Sequence, residues 1–224
     1  MSPCDLRFYD NDSDNFKGFH EMRPVIETIC INDRIPVYFG YHPHVDRTSY
    51  RKIMETYYPE DDCLYNVLEY YQDVEQYEPC EGITEEQGKD LLAWVDRRCE
   101  ELHHRKIVFF DWDRTLTCTE GLFCKRDIVR NKITVPAVVH YLFGPPTRLY
   151  RLRQLIDVLR EKGVEMYILT NNQLAMQDKL YFSQFVKEFH SYFKPRHILV
   201  SCTFPTKQAC LKKFLLTILN ESSH

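Results

Sequence analysis

The sequence predicts an α/β protein built on a parallel β-sheet buried on both faces, and three features of its second half predict it. Residues 107–110, 166–169 and 198–200 are short, continuously apolar runs, the pattern of strands with no solvent face. Helical stripes alternate with them: Leu152, Leu155, Ile156 and Leu159 form one, residues 174–189 carry a second, and Leu211, Phe214, Leu215 and Ile218 mark a third. Gly163 follows the first stripe where a C-cap glycine belongs. Strands alternating with helices of this length fold as right-handed crossover units on one parallel sheet.

The helix ahead of the first apolar run announces its own start. Thr84 and Gln87 stand three apart in capping-box order, and Leu91, Leu92, Val95 and Cys99 recur at helical spacing up to about His103. Residues 83–224 therefore read as one α/β domain. Residues 1–82 have a different texture, rich in Tyr and acidic side chains and interrupted by Pro24, Pro36, Pro43, Pro59 and Pro79. They read as an α+β extension. In it, residues 25–31 and 35–41 flank Asn32-Asp33-Arg34 as a hairpin, and residues 50–58 and 64–77 are expected to be helical. Its tyrosines are expected to pack their rings and keep their hydroxyls wet.

Composition bounds the function. The chain has 224 residues, 44% hydrophobic and 28% charged, close to the average for folded domains and unlike disordered or fibrous chains. A formal charge of -4 supplies no global attraction to nucleic acid or to an anionic membrane, so either would need a local patch. No apolar run reaches the roughly 18 residues that span a bilayer, and residues 1–14 are polar rather than signal-like. An intracellular protein without membrane insertion, cytoplasmic or nuclear, is expected. Nine scattered cysteines with no C-x-x-C pair indicate reduced thiols. His42, His44, His103 and His104 lack cysteine partners at zinc-finger spacing.

In parallel sheets the ligand crevice lies outside the carboxyl ends of the strands, so the residues after each apolar run are the candidates for chemistry. The first run ends in Asp111-Trp112-Asp113-Arg114-Thr115. Two carboxylates leaving a buried strand are costly to desolvate and persist where a cation or a reaction uses them. The second run ends in Thr170-Asn171-Asn172, a hydroxyl and two amides beside the same crevice, and the third leads to Lys207 at the head of the last helix.

The segment from Ile107 to Thr115, four apolar residues followed by D-x-D-x-T, resembles the first motif of the haloacid dehalogenase-like (HAD) phosphohydrolases. The apolar strand ending at Thr170 resembles the second motif. Lys207 is placed like the third-motif lysine, with Lys194 as a rival. The resemblance runs from about Lys106 onward, and the stretch 141–170 is also similar to HAD-like proteins of large DNA viruses. It implies a three-layer Rossmannoid fold and an aspartyl-phosphate mechanism. Asp111 would be the nucleophile and Asp113 the general acid, then base. Thr115, Thr170, Asn171 and Lys207 would bind substrate. Mg²⁺ would be held by the Asp111 carboxylate and the Asp113 carbonyl. The substrate class implied is an exposed phosphomonoester, on a protein or a nucleic-acid end.

One part of the family pattern is not found after Lys207: a further strand, lying beside the first-motif strand and bearing acidic residues that complete the metal shell. Asp61-Asp62 is the only adjacent acidic pair upstream with any claim to substitute. The sheet is thus expected to be truncated after the third motif, with an open edge that the 25–41 hairpin or a partner protein would cover. Residues 118–148, too short for a large cap, are expected to form a flap made basic by Lys125, Arg126, Arg130 and Lys132. The alternative to an enzyme is a non-catalytic HAD-fold protein in a larger assembly, a virion component if the chain is viral.

Overall fold

The computed structural model describes residues 4–16, 26–30, 82–98, 105–118, 125–130, 132–144, 146–201 and 207–221. In chain order these form β1 (Cys4–Asp10), β2 (Ile26–Cys30), α1 (Glu85–Arg98), β3 (Arg105–Phe110), α2 (Lys125–Arg130), α3 (Val135–Phe143), α4 (Pro146–Glu161), β4 (Glu165–Thr170), α5 (Gln173–Gln177), α6 (Lys179–Phe189), β5 (Ile198–Val200) and α7 (Lys207–Glu221). The five strands make one sheet in the order β2-β1-β3-β4-β5, and every pairing is parallel.

The three apolar runs are the strands expected of them, and strand alternation distributes their side chains to two cores. Val108, Phe110, Met166 and Ile168 face one core, filled from α1, α3, α4 and α6 by residues such as Val95, Val139, Ile156 and Phe185. Ile107, Phe109 and Leu169 face the other, beneath Leu211 and Leu215 of α7. Helices therefore cover both sides of the sheet, as runs without a polar face require. Thr84 and Gln87 close the capping box at the head of α1, with two reciprocal 3.0 Å bonds. Gly163 turns at φ 73° just after α4, the left-handed conformation that a side chain resists.

The 174–189 stripe is two helices rather than one. Asp178 breaks it at φ -150°, ψ 84°, and its carboxylate accepts a 2.9 Å bond from Tyr181 N to cap α6. Apolar spacing runs through the break because both helices bury their apolar residues against the same core.

The largest difference from expectation lies at the sheet edge. The sheet does not end at β3. β1 pairs with β3 from Cys4↔Arg105 to Tyr9↔Phe110, and β2 pairs with β1 from Leu6↔Ile26 to Asp10↔Cys30. Strands from before and after residue 82 thus share one sheet, and β1 occupies the edge beside β3 that was expected to be open, while among the described residues no strand follows α7. Arg7 binds β1 into the structure. Its guanidinium takes Glu27 of β2 through two 3.0 Å bonds, reaches Asp90 of α1 at 2.8 Å, and lies 4.9 Å over the Trp94 ring. The first arm of the expected hairpin is β2. Its turn, its second arm, the helices at 50–58 and 64–77, and Asp61-Asp62 lie outside the described residues.

The described part of residues 118–148 is also less of a flap than expected. Val138, Val139, Leu142 and Phe143 of α3 are buried in the main core. Among the described residues no helix is long and apolar enough to cross a membrane.

Candidate active site

The site begins where β3 ends. The Asp111 backbone N–H donates to Tyr9 O at 2.9 Å, carrying the β1–β3 ladder one step past Phe110. The chain then makes a single wide turn over Trp112–Leu116, closed by a 3.0 Å bond from Thr117 N to Trp112 O, with Arg114 at φ 55°. A left-handed arginine is costly, and such turns concentrate at functional sites. The Thr117 hydroxyl fixes it, accepting from Arg114 N at 3.1 Å and donating to Trp112 O at 3.0 Å. Trp112 is anchored in the core by edge contacts with Phe143 and Phe182 at 5.4 and 5.3 Å. The indole pins the turn between Asp111 and Asp113.

Lys207 stands at the first turn of α7, on the carboxyl side of β5, and its Nζ lies 2.8 Å from Asp111 Oδ1. The same ammonium lies 2.6 Å from Asp10 Oδ2. Asp10 ends β1 and is fully buried; it also accepts from Asn15 Nδ2 at 3.0 Å and from Asp12 N at 2.8 Å. Two buried carboxylates and one buried ammonium leave one negative charge uncompensated. Desolvation, with the Asp10 and Asp113 charges added, outweighs Lys207 and pushes the Asp111 carboxyl up to about 7. Burial works against the Lys207 charge, but Asp111 and Asp10 together hold its pKa above the ordinary lysine value.

Asp113 is half-buried on the same turn and takes both bonds of the Asn172 amide, 2.9 Å to Oδ2 and 3.3 Å to Oδ1. Thr170 is fully buried at the end of β4, its hydroxyl accepting from Asn172 N at 3.1 Å. Asn171 is exposed. The Thr115 side chain is fully buried, and its hydroxyl has no hydrogen-bond partner among the described residues. Lys194, the rival to Lys207, is exposed ahead of β5 at the opposite end of the sheet. Of the basic residues expected to charge the 118–148 flap, Lys125 is held 2.7 Å from Asp178, while Arg126, Arg130 and Lys132 are exposed.

The structure thus brings Asp111, Asp113, Thr170 and Lys207 to one end of the sheet and leaves Asn171 turned to solvent. Sequence reasoning missed Asp10. The signal was present in residues 6–10, an alternating Leu-Arg-Phe-Tyr-Asp run ending in a carboxylate, but Arg7 disguised a buried strand.

The donors fit a small hard cation. Asp10 and Asp111 are buried carboxylates with a surplus of negative charge, and Mg²⁺ is held by one or two carboxylates with much of its shell left to water. Among the described residues no three acidic, His or Cys side chains are gathered closely enough to ligate a metal alone. Backbone carbonyl and water oxygens would complete the shell. Compared with known proteins, the chain matches no family model, no curated protein and no solved structure.

Proposed function

We propose that this chain is a Mg²⁺-dependent phosphohydrolase of the HAD type, acting on an exposed phosphomonoester through an aspartyl-phosphate intermediate. The observation that carries this reading is the convergence of Asp10, Asp111 and Lys207. Asp10 ends the strand beside β3, where the resemblance calls for an acidic residue. Asp10 would then take the fourth motif's part from β1.

The residues divide the chemistry as follows. An Asp111 carboxylate oxygen forms a bond to phosphorus while the ester P–O bond breaks, and Asp113 passes its proton to the departing oxygen. Water then attacks the phosphorus of the aspartyl phosphate and gives a proton to Asp113, which releases inorganic phosphate and restores both carboxyl groups. Lys207 offers positive charge to the phosphoryl oxygens as negative charge grows. The Thr170 and Thr115 hydroxyls bind and shape the phosphoryl pocket. Mg²⁺, held by the Asp10 and Asp111 side chains and the Asp113 carbonyl, would supply charge neutralisation between nucleophile and phosphate. With α3 built into the core, the described residues place no large cap over the site, which suits a phosphate on a bulky carrier such as a protein or nucleic-acid end.

The non-catalytic alternative drew on the absent fourth motif, the Tyr-rich front half and an open edge beside β3; β1 at that edge and Asp10 beside Asp111 and Lys207 favour the catalytic reading over it. The test is release of phosphate from p-nitrophenyl phosphate by the purified chain, with Mg²⁺ and with EDTA. Mg²⁺-dependent release abolished by Asp111→Asn is expected. No release by the unaltered chain across a range of aryl phosphates would sink the reading.

A further inference from the structure

We infer that Asn172 is a positioning residue that aims Asp113 at the leaving-group oxygen, an inference that rests on the phosphohydrolase reading above. Five hydrogen bonds define it. The Asn172 carbonyl oxygen accepts from Leu174 N at 2.9 Å and Ala175 N at 3.3 Å, capping α5. Those two donors decide which end of the amide is oxygen, so the NH₂ group points the other way. It meets Asp113, at 2.9 and 3.3 Å from the two carboxylate oxygens. The Asn172 N–H in turn donates to the Thr170 hydroxyl at 3.1 Å, which ties the amide to the end of β4.

The consequence is mechanical. Asp113 sits on a turn whose next residue, Arg114, is left-handed, and a carboxylate there swings about two side-chain torsions unless something fixes it. Asn172, two residues past the end of β4, braces it across 59 residues of sequence. A serine at position 172 would still cap α5 but would not reach Asp113, so the two jobs of the residue separate.

The experiment compares kcat/KM for p-nitrophenyl and phenyl phosphate, with Mg²⁺, in the unaltered chain, Asn172→Ser, Asn172→Ala, Asp113→Asn and Asn172→Ser/Asp113→Asn. Phenolate leaves poorly and needs the proton; p-nitrophenolate leaves well without it. Asn172→Ser is expected to keep the Tm and lose about 10²-fold on phenyl phosphate. Its loss on p-nitrophenyl phosphate should be much smaller, and it should have no further effect when Asp113 is already Asn. Asn172→Ala should show the same selectivity with a lower Tm. Equal losses on both substrates, or additive losses in the double variant, would overturn the positioning role while leaving the proposed function standing. Absence of Mg²⁺-dependent turnover in the unaltered chain would overturn both.

Discussion

Asp10 and Asp111 end adjacent parallel strands, one register step beyond the Tyr9↔Phe110 pair, and one ammonium, that of Lys207, bonds both. Asp10 and Lys207 lie 197 positions apart in the sequence, with Asp111 near the midpoint between them. The three charges are buried and do not balance.

If Asp10 completes the metal shell, Asp10→Asn will weaken Mg²⁺ binding by at least about 10- to 100-fold, the cost typical of losing even a group that only supports a metal ligand. The rate should recover at high Mg²⁺ concentration. A Mg²⁺ titration of p-nitrophenyl phosphate hydrolysis checks this, and an unchanged half-saturation point would remove Asp10 from the shell.

Asp111 sets a pH dependence of stability. Its folded pKa of about 7 lies above the ordinary 3.8, so between these values the native state binds more protons than the unfolded state. Stability therefore declines as pH rises through that window, by up to about 4 kcal/mol, and levels off above it. Urea unfolding in EDTA at pH 5 and pH 8 should show the decline, and Asp111→Asn should abolish most of it. Mg²⁺ should stabilise the protein more at pH 8 than at pH 5.

Lys207→Met leaves two buried carboxylates facing each other without a counter-charge. A loss of about 3–5 kcal/mol is expected at pH 8 in EDTA, since removing one partner strands the others in low dielectric. Adding Asp111→Asn to Lys207→Met should restore part of it. Equilibrium unfolding of the two variants decides; equal stability would mean that the site admits water freely.

Gly82 supports the site from behind. At φ 111° a side chain is strained, and an added Cβ would stand 2.5 Å from Arg148 Nη2, 2.7 Å from Thr117 O and 2.8 Å from Thr115 O. Arg148 is itself fully buried and donates to Leu116 O at 2.9 Å and Phe143 O at 3.2 Å. Gly82→Ala should therefore cost about 1–3 kcal/mol and displace the turn that carries Asp113. A lower Tm together with reduced phosphate release would bear this out.

β3, β4 and β5, the capping box at Thr84, the glycine stop at Gly163 and the carboxylates after β3 were all legible from residue order. Each rests on interactions within a few residues or on an apolar period. The break at Asp178 was not, because the apolar pattern of α5 and α6 is continuous across it. β1 was not recognised either. Its Arg7 reads as solvent-facing until Glu27, Asp90 and Trp94 are seen to surround it. The choice between Lys194 and Lys207 likewise needed the ends of β5 to be told apart.

What the sequence determined by itself was the parallel α/β class and the acidic turn leaving a buried strand, since periodicity and local chemistry are written in neighbouring residues. Only the tertiary structure decided that Asp10 belongs with Asp111 and that Asn172 faces Asp113. Strand order in a parallel sheet is set by which crossovers bury the most surface, and no local pattern near Asp10 records that its neighbour begins 95 residues later, at Arg105.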